Sequence, residues 1–226
     1  MRALIKGAQM TDTLCDAGIY EQNLAFWDKA WKMVKNPYTQ MPPLPYLEQI
    51  LLVIQGAKAL PVLDLGCGSG WLSVYLARHG FEVIGVDVAE HALELGKMWA
   101  QQESLPIKFV VQDISDLDFP DSCFGAVVAN SIFEHLTNAL ALRTVERLTK
   151  SVAKDGVFFG CFDMVGTGPG QYYKLEDGTQ VYTDKGRQGM MLRCFSDEEI
   201  RELFKSWTIE EFTTLESGSR LLVARR

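Results

Sequence analysis

The chain has 226 residues, 47% of them hydrophobic, enough to bury the core of one domain and too apolar for a disordered segment. Its net charge of −7, from 22 Lys and Arg against 29 Asp and Glu, excludes a surface built to track phosphates, so nucleic acid is not an expected partner. The longest apolar runs fall short of about 18 residues, only Ala3, Leu4 and Ile5 stand between Arg2 and Lys6, and five scattered cysteines (Cys15, Cys67, Cys123, Cys161, Cys194) show neither CxxC nor Cys/His spacing. A cytoplasmic protein with reduced thiols, no membrane span and no metal site is therefore expected.

Residues 1–19 carry little pattern. From Tyr20 onward, Leu24, Phe26, Trp27, Ala30, Trp31 and Val34 recur at helical spacing, and the helix must stop before Pro37. A Pro-rich connector, NPYTQMPPLPY, leads to a second helix expected over 46–57, so that residues 1–57 form a helical N-terminal cap of the same domain. After Ala57 short apolar runs alternate with helical patterns of ten or more residues, the mark of βαβ units. The runs ALPVLDLG, FEVIGVD, IKFVVQD, FGAVVANS and GVFFGCF predict five strands, with helices near 70–79, 89–102, 138–153 and 196–206. Their nearly continuous Val, Ile and Phe content predicts a parallel sheet covered on both faces. Residues 164–195 are too many for a bare connection, and Asp177-Gly178 between YYKLE and TQVY predicts an inserted hairpin, a lid. At the end, WTIEEFTT and SRLLVARR around a turn at 216–218 read as a hairpin whose two strands cannot both run parallel to the rest.

VLDLGCGSGW, residues 62–71, packs Gly66, Gly68 and Gly70 into five positions behind an apolar run. Such a loop between strand and helix lets backbone approach a ligand and offers unpaired N–H groups. Asp87 ends the second strand nineteen positions after Gly68, where an acid takes both hydroxyls of a ribose, in a nicotinamide dinucleotide as well as in other adenosyl ligands. Asp113 ends the third strand, where a carboxylate accepts from an adenine amino group. Each acid alone would serve as a helix cap, but three at successive strand ends around one crevice point to a ligand. Asp64 separates the ligands, because a carboxylate at the loop base repels a pyrophosphate and attracts a sulfonium or ammonium. The spacing GxGxG also departs from the GxGxxG of dinucleotide sites.

In order along the chain, V-L-D-L-G-C-G-S-G, G-V-D, Q-D and N-S-I-F-E-H resemble the class I S-adenosylmethionine-dependent methyltransferases over about residues 58–163. The resemblance implies an α/β, doubly wound, Rossmann-like seven-stranded sheet, mostly parallel with a C-terminal antiparallel hairpin, in a domain spanning 58–226. It implies that Asp64, Gly66, Gly68 and Gly70 cradle the methionine part of S-adenosylmethionine, Asp87 the ribose, and Val88, Asp113 and Ile114 the adenine. Asn130 and Ser131 would line the pocket near the methyl donor, and S-adenosylhomocysteine would be the product. Gly125 stands where many members carry Asp. The D/N-P-P-Y/F motif of amino-methylating enzymes does not follow the fourth strand, which disfavours DNA bases as substrates, and Asn36-Pro37-Tyr38 reads as a helix-stop turn.

The expected activity is methyl transfer to the O, N or S atom of a small molecule by in-line displacement, where positioning and water exclusion do most of the work. A nicotinamide-dependent oxidoreductase and a non-catalytic binding module are the alternatives; Asp87 suits the first, Asp64 and Gly70 do not, and the second predicts binding without turnover. His135 is the candidate general base, although with Glu134 it would equally cap the next turn. Trp27 and Trp31 lie one turn apart, as an apolar face on a core would place them. FWDKAW before a Pro-rich connector is also similar to the N-terminal cap of small-nucleophile methyltransferases, which implies Tyr20 and Trp27 around the cofactor and Trp31 toward the substrate. Tyr172 and Tyr173 are either substrate contacts or plain edge-strand residues, and Asp163 is a lone acid.

Overall fold

The computed structural model describes residues 4–37, 39–57, 59–164 and 170–226. Tyr38 of the helix-stop turn, residues 165–169 of the insertion and the side chain of Cys15 lie outside the described residues. The apolar runs form β1 (Val62–Leu65), β2 (Val83–Asp87), β3 (Lys108–Val111), β4 (Phe124–Asn130) and β5 (Val152–Phe162). The insertion carries β6 (Tyr172–Lys174), β7 (Gln180–Tyr182) and β8 (Met191–Leu192), and the chain closes with β9 (Thr208–Thr214) and β10 (Arg220–Arg225). One seven-stranded sheet has the order β3-β2-β1-β4-β5-β10-β9, with β1 to β5 parallel and β10 antiparallel to both β5 and β9. This is the doubly wound, mostly parallel architecture expected.

The helices are α1 (Leu4–Lys32), α2 (Leu47–Ile54), α3 (Trp71–Arg78), α4 (Glu90–Gln102), α5 (Asn138–Ser151) and α6 (Asp197–Leu203). Local chemistry sets their ends. Thr137 accepts the Leu140 N–H at the start of α5, and Ser196 and Glu199 cap α6 reciprocally. Alternation in β4 sends Val127 and Ala129 to one face and Ala126 and Val128 to the other, and both faces are buried. On the first face they meet Leu148 of α5 with Phe158, Phe204 and Trp207; on the second, Ile50 and Ile54 of α2 with Leu72 and Leu76 of α3. Among the described residues no helix is long and apolar enough to cross a membrane.

Two boundaries differ from the expectation, and the insertion gains a strand. The first helix begins at Leu4 rather than Tyr20, because an established helix extends by one hydrogen bond per residue and needs no apolar stripe to continue. The fifth strand begins at Val152, four residues before its apolar run, with a register shift opposite Phe124–Ala126 absorbing the extra length. The predicted hairpin forms, with β6 and β7 antiparallel around Asp177-Gly178, and β8 adds a third strand.

Candidate active site

Strand order reverses between β1 and β4, and in such sheets the crevice at the carboxyl ends of the strands takes the ligand. The chain leaves β1 through Gly66–Gly70 into α3. Cys67 N–H donates to the Val86 carbonyl (2.9 Å) and Gly68 N–H to Asp87 Oδ2 (2.8 Å), so the loop is laced onto the end of β2. Asp87 Oδ1 accepts the Ala89 N–H (2.9 Å). Burial raises the Asp87 carboxyl above its usual range, and these backbone donors oppose the shift. Gly68 sits at φ +52°, and a Cβ there would lie 2.8 Å from Trp31 Cζ2, so the backbone is bare because an aromatic ring rests on it.

Gly66, Gly68, Asp87, Val88 and Ile114 form one wall of a cleft at this edge of the sheet. Tyr20, Asn23, Leu24, Trp27 and Trp31 of α1 cover it, and Ser131, Ile132, His135 and Leu136 close the far side. Trp31 also borders a wider cleft between the glycine loop and residues 37 and 39–43 of the connector. The cover is tied down at two points. Tyr20 Oη donates to Asp113 Oδ1 (2.7 Å), and burial with the neighbouring carboxylate keeps the phenol protonated. Asn23 Nδ2 donates to the His135 carbonyl (3.0 Å) while Asn23 Oδ1 accepts the Met191 N–H (2.9 Å), so one buried amide joins α1, the turn at 133–135 and β8.

On the far side Tyr46 Oη donates to Asn130 Oδ1 (2.6 Å), and Asn130 Nδ2 donates to Ser131 Oγ (3.1 Å). His135 Nδ1 lies 3.1 Å from the Met191 carbonyl. A carbonyl only accepts, so Nδ1 carries the proton and Nε2 the lone pair. Burial holds the imidazole below its usual range, which keeps it neutral. The rings of Trp27 and His135 meet edge to face with centroids 4.5 Å apart. Glu134 turns the other way, 2% exposed, its Oε1 accepting the Asp163 N–H at the end of β5. Its Oε2 has no partner, and burial pushes the carboxyl up to about 8.

Of the residues singled out in the sequence, Gly66, Gly68, Asp87, Val88, Ile114, Ser131, His135, Tyr20, Trp27 and Trp31 meet at this cleft. Asp113 and Asn130 stand one hydrogen bond behind it, under Tyr20 and Ser131. Asp64 is not on the wall. It is buried beneath the loop with Oδ2 accepting the Ser73 hydroxyl (2.6 Å), and burial pushes its carboxyl up to about 7. Gly70 is likewise set back at φ +80°, where a Cβ would lie 2.8 Å from Phe109 Cζ, and its bareness serves the packing of α3. Tyr172 packs on Tyr182 (5.4 Å) and Tyr173 is exposed; the insertion reaches the cleft wall through Met191 instead. Asn23, Leu24, Ile132 and Leu136 were not anticipated. Asn23 had a signal, since it stands four residues before Trp27 and eight before Trp31, a polar residue on an aromatic stripe.

Fold and site together define an α/β protein with a ligand-sized crevice at its strand reversal. Residues 62–156 match the family model described as a methyltransferase domain. Over 132 residues the chain is 33% identical to a ubiquinone biosynthesis O-methyltransferase of Coxiella burnetii, a match covering 55% of each chain. The chain thus spans about half the length of the curated relatives it matches. In structure it is similar to the PH0226 protein of Pyrococcus horikoshii, with a TM-score of 0.65 and 20% identity over 81% of this chain and 92% of that one. It is also similar to a magnesium protoporphyrin IX methyltransferase of Synechocystis solved with SAM bound, with a TM-score of 0.58 and 20% identity over 80% and 77%. Residues 62–156 thus carry a methyltransferase domain, and the chain around it has the fold of these methyltransferase structures.

Proposed function

We propose that this protein transfers the methyl group of S-adenosylmethionine to a small-molecule nucleophile and releases S-adenosylhomocysteine. The observation that carries the reading is the glycine loop bonded through Gly68 N–H to Asp87, beside Val88 and Ile114 on one wall of the cleft. The residues fit the cofactor. Each Asp87 oxygen accepts one backbone N–H and retains a lone pair for a ribose hydroxyl. Val88 and Ile114 offer apolar contact to a purine, and Tyr20, Trp27 and Trp31 offer aromatic surface to a positive sulfur. No Lys or Arg is among the lining residues described, which disfavours the pyrophosphate of a dinucleotide.

When bound, S-adenosylmethionine supplies a methyl carbon on a cationic sulfur, which a nucleophile takes while the bonding pair stays on sulfur. The protein's part is to orient the acceptor, exclude water beneath α1, and accept the acceptor's proton at His135 Nε2. Residues 1–57 act as the cap of the domain spanning 58–226, with 164–195 as a lid anchored at Met191. The O-methyltransferase names of the relatives support a small organic acceptor, and the free thiols of Cys67, Cys123, Cys161 and Cys194 support a cytoplasmic setting. Calorimetry tests the reading. Micromolar binding of S-adenosylmethionine and S-adenosylhomocysteine is expected, weakened about tenfold or more in Asp87→Ala by loss of charged hydrogen bonds. Absence of binding by the wild type, or unchanged binding by the variant, overturns it.

A further inference from the structure

We propose that His91 is a proton-operated clasp on the cap: charged, it bonds α4 to the chain leaving α1 and holds Trp31 over the glycine loop, and losing its proton loosens that hold and the grip on the cofactor. The cofactor half of the proposal rests on the methyl-transfer reading above. His91 stands in the first turn of α4, and each of its ring nitrogens faces an acceptor. Nε2 lies 2.9 Å from the Val34 carbonyl and Nδ1 lies 3.2 Å from Glu94 Oε2. Carbonyl and carboxylate oxygens only accept, and a neutral imidazole has a single N–H, so the imidazolium alone satisfies both contacts.

What the clasp holds matters to the cleft. Val34 N–H donates to the Trp31 carbonyl (2.9 Å), so residue 34 continues the last turn of α1, and its own carbonyl is among those at a helix C-terminus that attract a cation. Trp31 borders both clefts, and its ring rests on the Gly68 backbone. Tyr20 and Asn23 tie down earlier turns of the cover, whereas His91 ties down the end that passes into the connector walling the second cleft. Two charged side chains act on the ring. Glu94 of α4 favours the imidazolium, and Lys32 of α1 opposes it, although Asp28 lies 2.6 Å from the Lys32 ammonium. The Val34 carbonyl foremost, then Glu94, hold the imidazole above its usual range. A group raised in the docked cap favours docking fully below its ordinary value near 6.5, and that benefit is lost as pH rises through the docked value. On deprotonation the Val34 carbonyl loses its donor, or keeps a weaker neutral one while a lone pair faces Glu94.

The test uses the full chain, isotopically labelled at the histidine rings and the backbone amides and titrated from about pH 5.5 to about 8.5. In the ligand-free protein the His91 ring is expected to titrate above its ordinary value. The Lys35 amide, on the peptide whose carbonyl accepts from Nε2, is expected to move with the same midpoint. No such step should appear at Lys35 in His91→Gln, which keeps a donor and does not titrate. By calorimetry, the Kd of S-adenosylhomocysteine is expected to rise over this range about threefold more in the wild type than in His91→Gln, the scale of one exposed charged contact. His135, Asp64 and Glu134 are present in both proteins and cancel from that comparison. A His91 that titrates at or below its ordinary value, a Lys35 amide that ignores it, or parallel Kd curves would each overturn the proposal. Failure of the wild type to bind S-adenosylhomocysteine at any pH overturns the methyl-transfer reading instead, and the two resonance titrations still decide the clasp.

Discussion

Glu134 shows how one enclosed atom sets a property of the whole chain. Its Oε1 accepts the Asp163 N–H, its Oε2 has no partner, and burial pushes the carboxyl from near 4.5 up to about 8. A neutral acid suits that place, because an ionised one would leave a charged oxygen buried without a donor. The folded state therefore binds a proton that the unfolded state releases between these two values. The resulting stability is fully present below about pH 4.5 and declines as pH rises through about 8. Glu134→Gln keeps an oxygen for the Asp163 N–H and cannot ionise. Melting temperatures of wild type and variant are expected to lie close together at pH 5 and to separate toward pH 8.5, with the wild type lower. A gap of the same size at both pH values would show that Glu134 is not held neutral. Asp64, also buried and pushed upward, titrates in both proteins and cancels from the comparison.

At the scale of the element, the glycine loop divides its three residues between two tasks. Gly66 and Gly68 border the cleft, whereas Gly70 lets α3 begin against Phe109 and Gly96. Gly70→Ala is expected to destabilise the fold by about 1–3 kcal/mol, from a side chain at positive φ and from overlap with Phe109. Thermal unfolding measures that loss. Cofactor affinity in the folded fraction should change less than about threefold, and a tenfold loss would return Gly70 to the ligand. This division was not legible in the sequence, which places all three glycines on one loop but does not say which long-range neighbour each one meets. The βαβ alternation, the closing hairpin and the Asp177-Gly178 turn were legible because each rests on local spacing or turn chemistry. The start of α1 and the third strand of the insertion carry no such local pattern. The surroundings of Asp64 were not legible for a related reason: charge at the loop base is visible in VLDLG, but its hydrogen bond from Ser73, nine residues on, depends on how α3 packs.

Across the whole molecule, three parts distant in sequence meet at the cleft: the ends of the central strands, α1, and the insertion through β8. Asn23 is the shared bolt, bonded at once to the His135 carbonyl and the Met191 N–H. Met191 in turn fixes the tautomer of His135 through its own carbonyl, so a displacement of the insertion would disturb His135 as well as the cover. Because α1 lies over the wall formed by Gly68, Asp87 and Ile114, a ligand seated there gains contact with α1 and favours its docked position. Saturating S-adenosylmethionine is expected to protect residues 20–34 from limited proteolysis, and residues 187–193 with them, since Asn23 couples the two. In Asn23→Ala, which removes both bonds at about 1 kcal/mol each, the cofactor should still protect 20–34, held by Tyr20 on Asp113 and by the aromatic contacts, while 187–193 should stay as cleavable as in the ligand-free protein. Identical cleavage with and without cofactor in the wild type would show that α1 does not respond to the site. Joint protection surviving in the variant would assign the coupling to packing around Gly189 and Gln22 instead of the amide.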